Sequence, residues 1–220
     1  MNYFTAWSFS RLELWEECPL RAKLRHIDKV PEPPAPALVR GSAIHTLAEE
    51  YSLGKLKKLP DELKLFKLEF KNLLSLSKKL QVEQQLGLDE NWQPTDWFGP
   101  KCWCRIVMDC MYDLEKVRCV IDYKTGRVNQ EKHRAQLSLY AIGAFATAPK
   151  STTEVSTQLW YLDHGQSVCV LFKKSKLAKL KGEWERRAEP MLKDRIFNPN
   201  PGDACRWCPY AKKRGGPCKV

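Results

Sequence analysis

The feature that most constrains this chain is a pair of strand-like runs in an otherwise helix-patterned sequence. Lys101-Cys-Trp-Cys-Arg-Ile-Val-Met-Asp109 and Val117-Arg-Cys-Val-Ile-Asp-Tyr-Lys124 are rich in apolar, β-branched and aromatic residues and are joined by a short polar turn, so they are expected to pair as a hairpin. Thr157–Tyr161 and Val168–Lys173 predict two further strands around the turn Asp163-His164-Gly165. Elsewhere the apolar period is helical. Ser10 and Glu13 read as a capping box for an opening helix carrying Leu12, Trp15 and Leu20, with a kink at Cys18-Pro19. Pro31 to Pro36 reads as a stiff extended linker. Gly41-Ser42 opens a second helix with Ile44, Leu47, Ala48 and Tyr51 on one face, and a third, amphipathic, runs from about Asp61 to Leu80. Gln130 to Thr147 and Ser175 to Asp194 predict the last two. Helices around a few strands define an α/β or α+β chain, and 220 residues suffice for one large domain or two small ones.

Charge narrows the function classes. Thirty-seven Lys and Arg against 26 Asp and Glu give a net charge of +11, which suits a polyanionic partner such as nucleic acid, although a basic solvated surface has the same composition. No apolar run reaches the length of a membrane span and no signal peptide is legible at the N-terminus, so the expectation is an intracellular, cytoplasmic protein without a membrane partner. Nine cysteines, an odd number, in such a chain argue against a disulfide framework and for thiols, some of them metal-bound.

The hairpin carries the chemistry. Residues two apart on a strand share a face, so Asp122 and Lys124 project together, and Asp109, closing the preceding strand, is expected beside Asp122. Carboxylates hold hard ions such as Mg²⁺ or Mn²⁺, which lower the pKa of bound water, and a lysine there orients that water or meets developing negative charge. The spacing acid-x-Lys is weak by itself. It recurs at Glu62-Leu-Lys64 and Glu69-Phe-Lys71 inside a helical run, and a hairpin rim with ordinary surface charges is the plain alternative. What sets Asp122-Tyr123-Lys124 apart is its place at the end of a β-branched run, before the turn Thr125-Gly126.

Ile121-Asp122-Tyr123-Lys124-Thr125-Gly126 followed by Gln136-Leu-Ser-Leu-Tyr140, with Gly41-Ser-Ala-Ile-His45, Ser8-Phe-Ser10-Arg-Leu12 and Cys18-Pro19 upstream, resembles the RecB-like branch of the PD-(D/E)XK nucleases. The likeness is greatest to the compact Fe–S-bearing exonucleases of CRISPR-associated and phage type, and it covers nearly the whole chain in order. It implies a restriction-endonuclease-like α/β fold with a central mixed sheet flanked by helices and with the two chain ends stapled by a cysteine cluster. Residues 1–220 would form a single nuclease domain, containing a helical segment over 42–80, the catalytic sheet and helix over 101–173, and a Cys-rich tail over 198–220 joined to Cys18. The resemblance assigns Asp109 and Asp122 as metal ligands, Lys124 as the catalytic lysine, His45 as a further ligand, and Gln136 and Tyr140 as helix residues that position the strand or the lysine. Without it, His45 reads as a half-buried structural histidine, Gln136 as a helix-surface polar residue and Tyr140 as a core aromatic. Glu83 corresponds loosely to a glutamate before the first strands, and Glu49, one turn beyond His45, is a candidate to orient the imidazole.

The resemblance also implies a [4Fe–4S] cluster on Cys18, Cys205, Cys208 and Cys218, with Zn²⁺ at the same sulfurs as its competitor and free thiols as the simplest alternative. The gap from Cys208 to Cys218 is longer than the family pattern. Cys102, Cys104, Cys110, Cys119 and Cys169 read as small buried hydrophobes. The expected activity is metal-dependent hydrolysis of DNA, as an exonuclease in recombination, repair, phage replication or spacer processing. The expected partners are single-stranded or end-bearing DNA and a helicase or other recombination protein, oligomers being allowed, in the cytoplasm (the host's, for a phage-encoded chain). Arg127, Lys132, Arg134, Lys173, Lys174, Lys212, Lys213 and Arg214 are candidates to line the strand's path, and Trp7, Trp92, Trp97 or Trp207 to stack on bases. A catalytically silent DNA-binding subunit of the same fold, or a zinc-binding interaction module, are the alternatives; the first predicts loss of an acid or the lysine, and all three are present.

Overall fold

A computed structural model describes residues 3–33 and 35–219; the Lys132 side chain, one of the candidate basic contacts, lies outside the described residues. In chain order the main elements are β1 (Trp7–Ser8), α1 (Phe9–Glu17), α2 (Pro19–His26), α3 (Pro36–Ser52), α4 (Lys67–Ser75), β2 (Gln81–Leu88), β3 (Pro94–Thr95), β4 (Cys104–Leu114), β5 (Val117–Lys124), α5 (Gln130–Thr147), β6 (Glu154–Tyr161), β7 (Gln166–Lys173) and α6 (Leu177–Lys193). The strands form one mixed sheet in the order β3-β2-β4-β5-β6-β7, with β1 pairing β4 off this path. β5 and β6 run parallel, connected by α5, while the β2–β4, β4–β5 and β6–β7 pairs are antiparallel. Helices cover both faces, as expected for a sheet with a parallel crossover. The protein thus has a central mixed sheet flanked by helices, the restriction-endonuclease-like α/β arrangement.

Each face has its own core. On one, Trp7, Leu12, Leu137, Ile142, Trp184 and Met191 pack against Ile106, Val120 and Leu159; on the other, Ile44, Tyr51, Phe66 and Phe70 pack against Cys110, Ile121, Tyr123 and Trp160. α5 lies close to the sheet because Gly143 leaves room: a Cβ there would sit 2.9 Å from Ile106 Cδ1.

Several boundaries differ from the sequence expectation. Ser8, not Ser10, caps the opening helix, its hydroxyl accepting from Arg11 N at 3.4 Å. Cys18 is extended (φ −160°, ψ 107°), so the segment is two helices, the second starting with Pro19 at its first turn, where a missing N–H costs nothing. α3 begins at Pro36, inside the expected linker and five residues before Gly41, for the same reason. The expected helix over 61–80 resolves into a 3₁₀ turn, Asp61–Phe66, the nine-residue α4 and a second 3₁₀ turn, Ser77–Lys79. β4 continues past Asp109 to Leu114, so Asp109 lies within the strand and does not close it. β1, β2 and β3 were not anticipated.

Candidate active site

The site lies where the sheet forks. β4 and β5 pair from Leu114↔Val117 to Cys110↔Ile121 and no further. β2 and β4 pair on either side of the row Glu83–Asp109 but not in it. The register therefore aligns Glu83, Asp109 and Asp122 side by side on three neighbouring strands, in the row where the ladder is interrupted. Glu83 has φ 47°, the left-handed region that an L side chain rarely adopts. The pleat reverses there. In β4, Ile106 and Met108 feed the α5-side core whereas Cys110 feeds the α3-side core; in β2, Leu86 and Leu88 feed the first and Val82 the second. Backbone strain of this kind persists only where surrounding contacts over-determine it, and it clusters at functional sites.

Side chains take over the hydrogen bonds that the backbone gives up. Asp109 Oδ2 accepts from Tyr123 N at 2.7 Å, wedging its carboxylate into the fork. Asp122 Oδ1 accepts from Tyr140 Oη at 2.6 Å, and Tyr140 in turn accepts from Gln136 Nε2 at 2.6 Å, the i, i+4 pair on α5 acting as one relay. Lys124 Nζ stands 2.6 Å from Asp122 Oδ2, an oxygen that is buried without a well-angled hydrogen-bond donor.

α3 supplies the histidine. Arg40 is bidentate to Asp163 at 2.9 and 2.7 Å, and the same carboxylate accepts from Gly126 N at 2.7 Å. Arg40 holds that carboxyl down at about 2. This clasp ties α3 to the end of β5. Gly41 allows the approach, since a Cβ there would meet Thr125 Oγ1 at 3.0 Å. One turn on, His45 Nδ1 lies 3.4 Å from Asp109 Oδ2.

Ligand atoms of His45, Glu83 and Asp109 all lie within 4.8 Å of one another, the one such group among the described residues. Asp122 is outside it, turned to Lys124 and Tyr140, so the compact set has Glu83 in the place expected for Asp122. The electrostatics fit a cation. Burial and the charge of Asp109 raise the Glu83 carboxyl. Burial raises that of Asp122 further than Lys124 lowers it, with Asp109 adding to the rise. At His45 burial works against the charged ring, but the hydrogen bond and charge of Asp109 outweigh it and the pKa rises. Lys124 is likewise disfavoured by burial and favoured more by Asp122, and its pKa rises. Excess negative charge crowded into one row, with Asp109 and Asp122 buried and Glu83 exposed at its end, is what a divalent ion would relieve.

A cleft of about 730 Å³ runs along the fork, with Asp109, Asp122, Lys124, Gln136, Tyr140 and His45 in its wall. Glu49 and Glu83 line an adjoining cleft that shares His45, Asp109 and Lys124. Glu49 is 4.0 Å from Lys55 Nζ, and the ring nitrogen Nδ1 of His45 faces Asp109 instead. Of the basic residues expected along the strand's path, those described are exposed but line neither cleft; Arg11 and Arg105 do. Trp7 and Trp92 are core, Trp97 lines the cleft, and Trp207 is exposed near the tail. Sequence reasoning missed Arg11 and Arg105, although Arg11 lies within the quoted Ser8–Leu12 segment.

Away from the residues that line these clefts, Cys18, Cys205, Cys208 and Cys218 all line one mostly apolar cavity. No three thiols lie within 4.8 Å of one another among the described residues. The thiolates around one zinc ion stand about 3.8 Å apart, given a Zn–S bond of about 2.3 Å and tetrahedral angles. Cys102, Cys104, Cys110 and Cys119 are buried as expected, but Cys169 is exposed on β7, near the edge of the sheet, with Sγ 3.4 Å from Ser156 Oγ.

No curated protein matches the chain. A solved structure described as "Crystal structure of SSO0001" aligns over 100% of this chain and 90% of its own, at 14% identity and a TM-score of 0.45. The family model of the PD-(D/E)XK nuclease superfamily matches residues 6–99 and 107–212. With that match spanning most of the sequence, the chain belongs to the PD-(D/E)XK nuclease superfamily.

Proposed function

We propose that the chain is a RecB-like, metal-dependent deoxyribonuclease that digests DNA from an end, with residues 1–220 acting as one nuclease domain in the cytoplasm. The observation that carries this reading is the convergence of Glu83, Asp109 and Asp122 in one interrupted row, with Lys124 Nζ 2.6 Å from Asp122 and His45 Nδ1 3.4 Å from Asp109. The donor set is oxygen-rich with one imidazole, which suits Mg²⁺ or Mn²⁺. His45, Glu83 and Asp109 would hold the ion, with Asp122 joining through Oδ2, the oxygen that faces Lys124. Such an ion supplies an acidified water and neutralises phosphate charge.

The protein's own groups do the rest. Lys124, kept protonated by the neighbouring negative charge of Asp122, presents an ammonium at the cleft wall, where a phosphorane-like transition state gathers negative charge. Tyr140 and Gln136 fix the Asp122 carboxylate from behind. The Tyr123 N–H fixes Asp109, so neither acid needs to reorganise when substrate arrives. Cys18, Cys205, Cys208 and Cys218 would hold the [4Fe–4S] cluster that the resemblance implies. What supports this reading is that the four thiols line a single cavity, and soft thiolates suit iron–sulfur clusters.

The test is digestion of end-labelled single- and double-stranded DNA with Mn²⁺, with EDTA and metal add-back as controls. Lys124→Ala and Asp122→Ala are each expected to lower turnover at least ~100-fold, the scale of losing a group that stabilises transition-state charge. Unchanged turnover in both removes the site assignment. Release of internal fragments before terminal nucleotides removes the exonuclease assignment.

A further inference from the structure

We infer that the lip of the cleft formed by Arg11, Arg105, Trp97 and Phe98 is a nucleotide subsite that grips one backbone phosphate and stacks one unpaired base beside the acids. This rests on the nuclease reading above and adds to it a specificity element on β4, on the loop before it and on α1. The aromatic part is unusual for a surface. Phe98 is 86% exposed, the most exposed large apolar side chain among the described residues. It is not in the core, and its ring lies at the mouth of the cleft that contains Asp109 and Lys124. Arg105 anchors the lip. Its Nε donates to Trp97 O at 2.9 Å, and its guanidinium carbon is 5.5 Å from the Trp97 ring centre and 5.6 Å from that of Phe98. The cation is thus within cation–π reach of two rings, with its remaining N–H groups uncommitted among the described residues.

Arg11 is the second cation. Its one side-chain hydrogen bond among the described residues is to Ala6 O at 3.3 Å. Neither Arg11 nor Arg105 has a carboxylate within ion-pair distance among the described residues, whereas Arg40, Arg118 and Arg187 each do. Burial, and next the charge of Arg105, lower the Arg11 pKa. Two like charges lining one cleft, neither of them ion-paired among the described residues, destabilise each other until an anion enters, and a guanidinium pair matches phosphate oxygens bidentately. An exposed ring next to a phosphate grip is the arrangement that recognises a splayed nucleotide, because an unstacked base of any kind offers a free π-face, whereas a base inside a duplex has its faces covered by its neighbours.

The test is fluorescence anisotropy of the full chain with a labelled single strand, the same strand in a blunt duplex, and a strand carrying abasic sites. All are measured in EDTA, so that binding is read apart from turnover. Phe98→Ala is expected to weaken the single strand ~10-fold, with Phe98→Trp restoring it and the abasic strand unaffected. Arg11→Gln and Arg105→Gln are each expected to reduce the slope of log affinity against log salt by about one. No measurable binding of the single strand, no loss with Phe98→Ala, an equal loss on the abasic strand or the duplex, or an unchanged salt slope in both Arg variants overturns the subsite. Phe98 is too exposed for its replacement to unfold the chain. If Lys124→Ala keeps full cleavage while Phe98→Ala weakens binding as stated, the catalytic assignment falls and the subsite stands; the reverse pattern separates them the other way.

Discussion

At the scale of single residues, His26 shows how burial among cations reshapes a titration away from the cleft. It sits at the end of α2, its ring 6.3 Å from that of Phe4. Burial, then the charges of Arg11 and Arg25, lower its pKa from 6.5 to about 4, against a small opposing pull from Glu32. The folded value lies below the unfolded one, so the unfolded chain binds the extra proton first. The stability that His26 contributes by remaining neutral is present above pH 6.5 and is lost as pH falls towards 4. Because the ring is only half-buried, the difference is expected to be about 1–2 kcal/mol after discounting for solvent. His26→Gln should flatten the fall in urea-derived stability between pH 6.5 and 4 relative to the parent. Parallel curves for the two proteins would show that the ring titrates normally.

At the scale of elements, two glycines that look alike in sequence are expected to behave oppositely. A Cβ at Gly87 would meet Thr95 O at 2.8 Å and Asp96 O at 3.2 Å, so β3 and its loop must move. Gly87→Ala should destabilise by about 1–3 kcal/mol. At Gly143 the nearest atoms are the side-chain tips Ile106 Cδ1 and Leu86 Cδ2, which can rotate away. The gain of about 1 kcal/mol in helix propensity there offsets the crowding, so Gly143→Ala should fall within about 1 kcal/mol of the parent. Chemical denaturation of the pair checks both. The same contrast explains what was legible. α5 was readable to its ends, Gln130 and Thr147, because local period and burial agree. The Asp122–Lys124 pair was readable because a strand alternates. β2 was hidden: Gln81-Val-Glu-Gln-Gln-Leu-Gly-Leu88 has few β-branched residues, and Glu83 reverses its pleat, so no single period runs through it. Register, set by partners far away in sequence, is what puts Glu83 in the acidic row. The break at Cys18 was expected as a kink because Pro19 is visible and the extended cap before it is not.

At the scale of the whole molecule, the C-terminal segment embraces the N-terminal helices. Asp194 accepts from Trp15 Nε1 at 2.8 Å, Arg187 is bidentate to Glu16 at 2.7 Å, and Phe197 packs edge-on against Phe4 at 6.0 Å. Further on, Asn200 Nδ2 donates to Glu17 O at 3.0 Å and Tyr210 Oη to Val30 O at 3.0 Å. If the four cysteines hold iron, purified protein should be brown and contain iron and sulfide. Cys205→Ser with Cys208→Ser should abolish the colour and lower the melting temperature by several degrees, since about 1 kcal/mol corresponds to about 2–4 °C in a chain of this size. A colourless parent containing zinc would reverse the cofactor assignment. The clasp also has a consequence for synthesis. The α1 segment that walls the cleft is braced by residues that follow it 171 to 183 positions later. A nascent chain that has not yet exposed those residues lacks the brace, and so would hold its cutting groove only loosely.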